Sequence, residues 1–132
     1  MAYTVIAKPS LHFTTDIYAG SSSAKTITGI PFKPDFVITK DRTEAHEWGL
    51  YDSNRGIKRW LKSSSAQSEN NNAGASLVDA SLTEFTSDGF TIATMSTDPI
   101  GNKNGNEFNT HMWKANGGTT STDSNGSINS TV

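Results

Sequence analysis

The sequence predicts an all-β fold, a single antiparallel β-sandwich of jelly-roll-like type, and three observations carry that expectation. Small polar residues dominate, with 17 Ser, 17 Thr, 11 Asn and 11 Gly among 132 residues, a mixture that favours turns and solvated strand faces over helices. Short stretches of β-branched and aromatic residues recur between these turns, giving about eight to ten strands at intervals of roughly ten residues. Ser87-Asp88-Gly89 stands between two such stretches, residues 82–85 and 90–94, which is the pattern of a hairpin closed by a tight turn.

The remaining elements follow from alternation and punctuation. Residues 11–18 place Leu11, Phe13, Thr15 and Ile17 on one side, so this apolar side is expected to face the core. Residues 24–30 resume after the turn at Gly20-Ser21-Ser22-Ser23 and stop at Pro31. Pro31 and Pro34 both lack a ladder N–H, which makes the stretch between them an edge or a crossover. Residues 35–40 read as a core strand through Phe36, Val37 and Ile38. Residues 48–51 form a short strand that ends in the turn-forming run Asp52-Ser53-Asn54-Arg55-Gly56. Residues 57–61 carry apolar groups on both sides, so their inward face stays open. Residues 63–76 and 97–106, both rich in Asn, read as exposed loops. A late strand at 107–115 and a last one at 127–132 complete the set.

The length suits one domain, residues 1–132, with residues 1–10 a candidate N-terminal arm. A net charge of −2 and a pI near 5.8 offer no general attraction to phosphate backbones or anionic lipid, so neither nucleic acid nor membrane insertion is expected. There is no Cys, which removes disulfides, thiolate metal sites and cysteine nucleophiles. The first residues lack a basic segment followed by an apolar one, so no conventional secretion signal is expected.

Motifs distributed along nearly the whole chain carry a resemblance. They are Met1-Ala2-Tyr3-Thr4, Lys8-Pro9-Ser10 with His12-Phe13, Phe32-Lys33-Pro34-Asp35-Phe36-Val37, Leu50-Tyr51-Asp52-Ser53 and Arg55-Gly56. Leu82-Thr83, Phe85, Ser87-Asp88-Gly89-Phe90-Thr91, Trp113-Lys114-Ala115 with Gly117-Gly118, Asn125-Gly126-Ser127-Ile128 and Ser130-Thr131-Val132 continue them in order. Together they resemble a bacteriophage domain family found in tail-fibre-like and other virion structural proteins. The resemblance implies a virion component with no catalytic activity, made in the host cytoplasm, and it supplies no catalytic or ligand residues.

Chemistry-bearing groups are sparse. His12, His46 and His111 are far apart and lack metal-ligand spacing, so no metal and no cofactor are expected. Glu44 and Glu47 flank His46 beside Trp48, a carboxylate pair near an aromatic ring as glycosidases require, but a solvated loop with its aromatic turned inward is the favoured reading. Arg55, Lys58, Arg59 and Lys62 around Trp60 form a small basic cluster that reads as a polar strand face or a salt-bridged protein interface. Oxygen-rich residues 98–107 and 123–126 would accept calcium but lack the full loop spacing of a calcium-binding hand.

The expectation is therefore a non-enzymatic structural component of a phage virion, a tail-fibre or adhesin-type domain for attachment or assembly. A capsid decoration or cement protein is the alternative, and a glycan-degrading enzyme ranks third. Its partners would be other virion proteins and a host surface glycan or receptor, and it would self-associate, with a trimer favoured. The expected contacts are the amides of Asn70, Asn71, Asn72, Asn102, Asn104 and Asn106 on mobile loops.

Overall fold

A computed structural model describes residues 8–71, 81–93, 100–115, 122–123 and 130–131. Among these residues there is no α-helix. One 3-10 turn at Pro9–Leu11 leads into strand β1, Phe13–Ala19. Strands β2 (Lys25–Ile27), β3 (Phe36–Asp41), β4 (Gly49–Asp52), β5 (Arg59–Lys62) and β6 (Asn70–Asn71) follow. Then come β7 (Leu82–Thr86), β8 (Gly89–Ile92), β9 (Glu107–Trp113), β10 (Thr122–Asp123) and β11 (Ser130–Thr131). No helix of the described residues is long and apolar enough to cross a membrane.

The larger sheet runs β1-β9-β3-β4-β5, with β6 added at its far edge, and the smaller runs β2-β8-β7. Strands β10 and β11 pair separately. All pairings are antiparallel. β1 pairs with β9 in one sheet while β2 pairs with β8 in the other, so the chain wraps as a folded-over ribbon in the manner of a jelly roll. The all-β antiparallel sandwich is the fold.

The hairpin forms where the sequence places it. Phe85 faces Phe90 and Thr86 faces Gly89, leaving Ser87 and Asp88 as the two-residue turn. Asp88 also receives the Ile30 N–H on its carbonyl at 2.9 Å, which docks the end of the preceding segment onto the turn. A side chain at Gly89 would run into the Ile27 carbonyl, so this close backbone approach requires glycine.

Between the layers lies one apolar cluster. The larger sheet contributes Tyr18, Val37, Tyr51, Trp60, Phe108 and Met112, the smaller Ile27, Leu82, Phe90 and Ile92, and the connections Ile30, Phe32 and Ile100. Tyr18 stacks on Phe108 at 5.5 Å and meets Phe90 edge-on at 6.3 Å, joining the two sheets. Burying each large side chain is worth about 1.5–3 kcal/mol, and these residues replace the staple that a chain without cysteine lacks.

Two sequence expectations are corrected here. β1 turns Tyr18 to the core, with Thr14 and Asp16 on the same side, and points Phe13, Thr15 and Ile17 outward. Alternation shows that two faces differ but does not show which is covered. In β3 the buried residues are Val37, Thr39 and Asp41, while Phe36 and Ile38 lie on the outer side, so the strand alternates instead of burying three residues in a row. On β5 the open question resolves to Trp60 inward, 3% exposed, and Leu61 outward.

Residues 63–76 are not wholly a loop, because Asn70 and Asn71 pair as β6 with Trp60 and Arg59 of β5. The expected N-terminal arm falls largely outside the described residues, which begin at Lys8.

Candidate functional site

The outer face of the larger sheet is the most distinctive surface of the molecule. Register fixes its rows. Phe13, Trp113 and Phe36 lie side by side across β1, β9 and β3, with Asp52 of β4 next in line. Thr15, His111, Ile38, Leu50 and Leu61 form a second row across five strands. Ile17, Asn109 and Lys40 form a third. Phe13, Ile17 and Leu61 are 40%, 55% and 38% exposed.

The aromatic rings on this face touch one another. Trp113 lies 4.9 Å from Phe13 and 5.5 Å from Phe36, and the His111 ring is roughly parallel to both Trp113 and Phe13 at 6.2 and 6.3 Å. Asn109 Nδ2 and His111 Nε2 are 3.1 Å apart; with the amide donating, the imidazole accepts at Nε2. Cross-strand aromatic pairs of this kind stiffen a sheet.

Charges at the rim of the face are already engaged. Lys40 Nζ donates to the His46 carbonyl at 2.6 Å, and Glu107 pairs with Arg42 at 3.0 Å. Asp52 pairs with the Arg55 guanidinium, and Arg59 lies 3.7 Å from Glu69. Burial pushes the Asp52 carboxyl up, but the backbone N–H groups and guanidinium of its own turn, chiefly those of Arg55, outweigh that and hold it below the usual carboxylate range. The surface therefore presents apolar groups with little free charge.

Beside this face, Asp41, Glu44 and His46 bring one donor atom each within 4.8 Å. Asp41, almost fully buried, accepts the N–H groups of Thr43 and Glu44 on one oxygen and the Asn106 amide on the other, at 2.7, 3.0 and 2.6 Å. Glu44 Oε2 lies 2.5 Å from Lys103 Nζ and 2.8 Å from His46 Nε2. Hydrogen bonds from Lys103, then His46 and Asn106, lower its carboxyl to about 2. The Lys103 ammonium supplies the positive charge that this carboxylate demands, so the group reads as a structural knot between the β3–β4 connection and the segment before β9. Glu47, the other acid weighed in this stretch, bonds the Ser64 hydroxyl, and Trp48 is 37% exposed.

The Asn-rich segment before β9 is built into the scaffold, contrary to the expectation of solvated amides. Asn102 is fully buried. Its Oδ1 accepts the Ser21 N–H at 2.8 Å, and its Nδ2 donates to the Ser23 and Ile92 carbonyls at 3.0 and 3.3 Å. Asn106 is 5% exposed, bonds Asp41, and accepts the Gly20 N–H on its backbone carbonyl at 2.7 Å. Ile100 is also fully buried, and its carbonyl takes the Thr39 hydroxyl at 2.7 Å. Of the three amides only Asn104 is exposed. Asn70 and Asn71 belong to β6, and Asn72 lies outside the described residues.

Sequence reasoning missed the outer-face cluster because its members are spread over five strands that are distant in sequence. The available signal was the doubling of apolar residues on both sides of adjacent strands, as at Phe36-Val37-Ile38 and Trp60-Leu61. No curated protein and no solved structure matches the chain. A family model matches residues 8–132, so the chain belongs to the DUF7483 family, a domain of unknown function.

Proposed function

We propose that this chain is a non-catalytic structural domain of a bacteriophage virion, of tail-fibre or adhesin type, that serves attachment or assembly by packing against other virion proteins. The observation that carries the reading is the broad apolar face of the larger sheet, whose rim carboxylates and arginines are paired within the chain. Exposed apolar patches on this scale mark surfaces that meet protein. The motif resemblance supplies the setting, a particle made in the host cytoplasm.

The same motifs serve as bracing elements. Asp35, from the Pro34-Asp35-Phe36-Val37 motif, bonds Ser53 of the Tyr51-Asp52-Ser53 motif and Ala115 of the Trp113-Lys114-Ala115 motif. Residues that hold three strand ends together suit a domain whose task is to present a surface. The acid and histidine group at Asp41, Glu44 and His46 is likewise committed to internal bonds.

Mass spectrometry of purified particles, from the phage that encodes the chain, tests this reading. The proposal expects its peptides in the particles at a fixed ratio to the other structural proteins. Peptides confined to the lysate, or washed from particles by salt, would reject it. Separating tails from capsids before the measurement decides between the fibre and decoration roles.

A further inference from the structure

We propose that the Asn104-Gly105 turn is a site of spontaneous covalent modification, where the Asn104 amide leaves as ammonia and an aspartyl or isoaspartyl carboxylate takes its place. The reaction asks for an asparagine amide that nothing holds, a following backbone nitrogen that nothing holds, and no side chain between them to block their approach. Asn104 and Gly105 are both exposed. Among the described residues, neither the Asn104 side chain nor the Gly105 N–H has a hydrogen-bond partner. The turn is closed from outside the pair, by the Asn106 N–H donating to the Lys103 carbonyl at 3.2 Å. Gly105 has φ +86°, and no atom lies within 4 Å of where a Cβ would stand, so a ring formed here has room.

Neighbouring asparagines each fail one of these conditions. Asn102 is fully buried with both side-chain atoms bonded. Asn106 bonds Asp41, and the N–H that follows it, on Glu107, donates to Thr43 Oγ1 at 2.9 Å. Asn54 is exposed, but the Arg55 N–H after it donates to Asp52 Oδ1 at 2.8 Å. Asn109 lies within β9, beside His111. Asn-Gly pairs also stand at 116–117 and 125–126, outside the described residues.

The chemistry balances with water as the only co-reactant. The Gly105 nitrogen loses its proton and attacks Asn104 Cγ; the new C–N bond closes a five-membered imide, and the amide nitrogen departs as ammonia. Water then breaks one of the two ring C–N bonds. Attack at Cγ restores the main chain and leaves an aspartyl side chain, whereas attack at the main-chain carbonyl leaves the chain running through Cβ. Either product replaces a neutral amide by a negative charge next to Lys103, which holds Glu44 at 2.5 Å. The isoaspartyl form adds one carbon to the main chain of an exposed turn whose flanks, Asn102 and Asn106, are anchored, so the added length bulges into open space.

The full chain, kept at mildly alkaline pH both folded and in guanidinium chloride, tests the site. Trypsin cutting after Lys103 and Lys114 releases residues 104–114, which carry Asn104, Asn106 and Asn109 on one peptide. Mass spectrometry of that peptide is expected to show acid at Asn104 and intact amides at Asn106 and Asn109. The folded chain should convert Asn104 less than about tenfold more slowly than the denatured one, because no local opening has to precede attack. Asn104→Gln should abolish the acidic form of this peptide. The proposal is overturned by an Asn104 that stays an amide, by folded-state protection of about tenfold or more, or by conversion that persists at Asn106 or Asn109 in Asn104→Gln. The outcome is read on the isolated chain, whether or not the chain is found in particles.

Discussion

Ser53 is bonded twice to Asp35: its hydroxyl donates to Oδ1 at 3.0 Å and its N–H to the backbone carbonyl at 2.8 Å. The other carboxylate oxygen accepts the Ala115 N–H at 3.0 Å, and the Asp35 N–H donates to the Trp113 carbonyl at 2.8 Å. One residue thus ties the start of β3 to the ends of β4 and β9. It is 8% exposed, so its bonds are shielded from competing water.

Removing that carboxylate leaves two donors, the Ser53 hydroxyl and the Ala115 N–H, without their acceptor at a part-buried junction. Asp35→Ala is therefore expected to destabilise the fold by about 2–4 kcal/mol, since hydrogen bonds to charged groups carry about 1.5–3 kcal/mol each. Ser53→Ala removes one of the two bonds to the carboxylate and should cost about half as much. Urea denaturation midpoints measure both, and equal midpoints for Asp35→Ala and wild type would show that the junction does not brace the sheet.

Asn102 and Asn104 separate scaffold from surface within three residues. Asn102→Ala loses three hydrogen bonds in a fully buried setting and is expected to cost about 2–4 kcal/mol. Asn104→Ala, at an exposed position, should stay within about 0.5 kcal/mol. Thermal midpoints of the two variants test the contrast.

The sequence alone made legible those features that depend on local chemistry. The Ser87-Asp88-Gly89 turn announces a hairpin because few other residues fit its geometry, and the flanking pair Phe85 and Phe90 sets its register. The side of a strand that becomes core is a tertiary fact. Phe13, Thr15 and Ile17 look like an inward face, yet the opposite side packs because Tyr18 reaches Phe108 and Phe90. Composition likewise cannot tell an amide that meets solvent from one that brackets two backbone segments, and Asn102 is the second kind. The outer-face cluster required the pairing of β1, β9 and β3, which no local pattern specifies.

Glu44 gives the fold an acid sensitivity of definite sign. Its carboxyl is lowered from 4.5 to about 2, first by the Lys103 hydrogen bond. A folded-state value below the unfolded one contributes stability that is present above 4.5 and lost as pH falls toward about 2. The group is exposed, so added salt should weaken the effect. A carbon-13 NMR titration of the Glu44 carboxyl is expected to show a midpoint near 2 in the wild type, moving upward in Lys103→Met. An unchanged midpoint in that variant would remove Lys103 as the cause.

Gly89 tests the hairpin's docking. A methyl group there meets the Ile27 carbonyl, a backbone atom that cannot swing aside, so Gly89→Ala should destabilise by about 1–3 kcal/mol through overpacking. Its urea midpoint should fall without a change in the slope that reports exposed surface. A midpoint equal to wild type would mean that β2 and β8 approach less closely than their pairing implies.

A density map of the intact phage particle tests the central claim most directly. The account predicts sandwich-shaped density for this chain, with Phe13, Ile17, Leu61 and the Trp113 cluster covered by protein, a second copy or another virion component. A particle map that lacks the chain, or one that holds it with this face turned to solvent, would contradict the account.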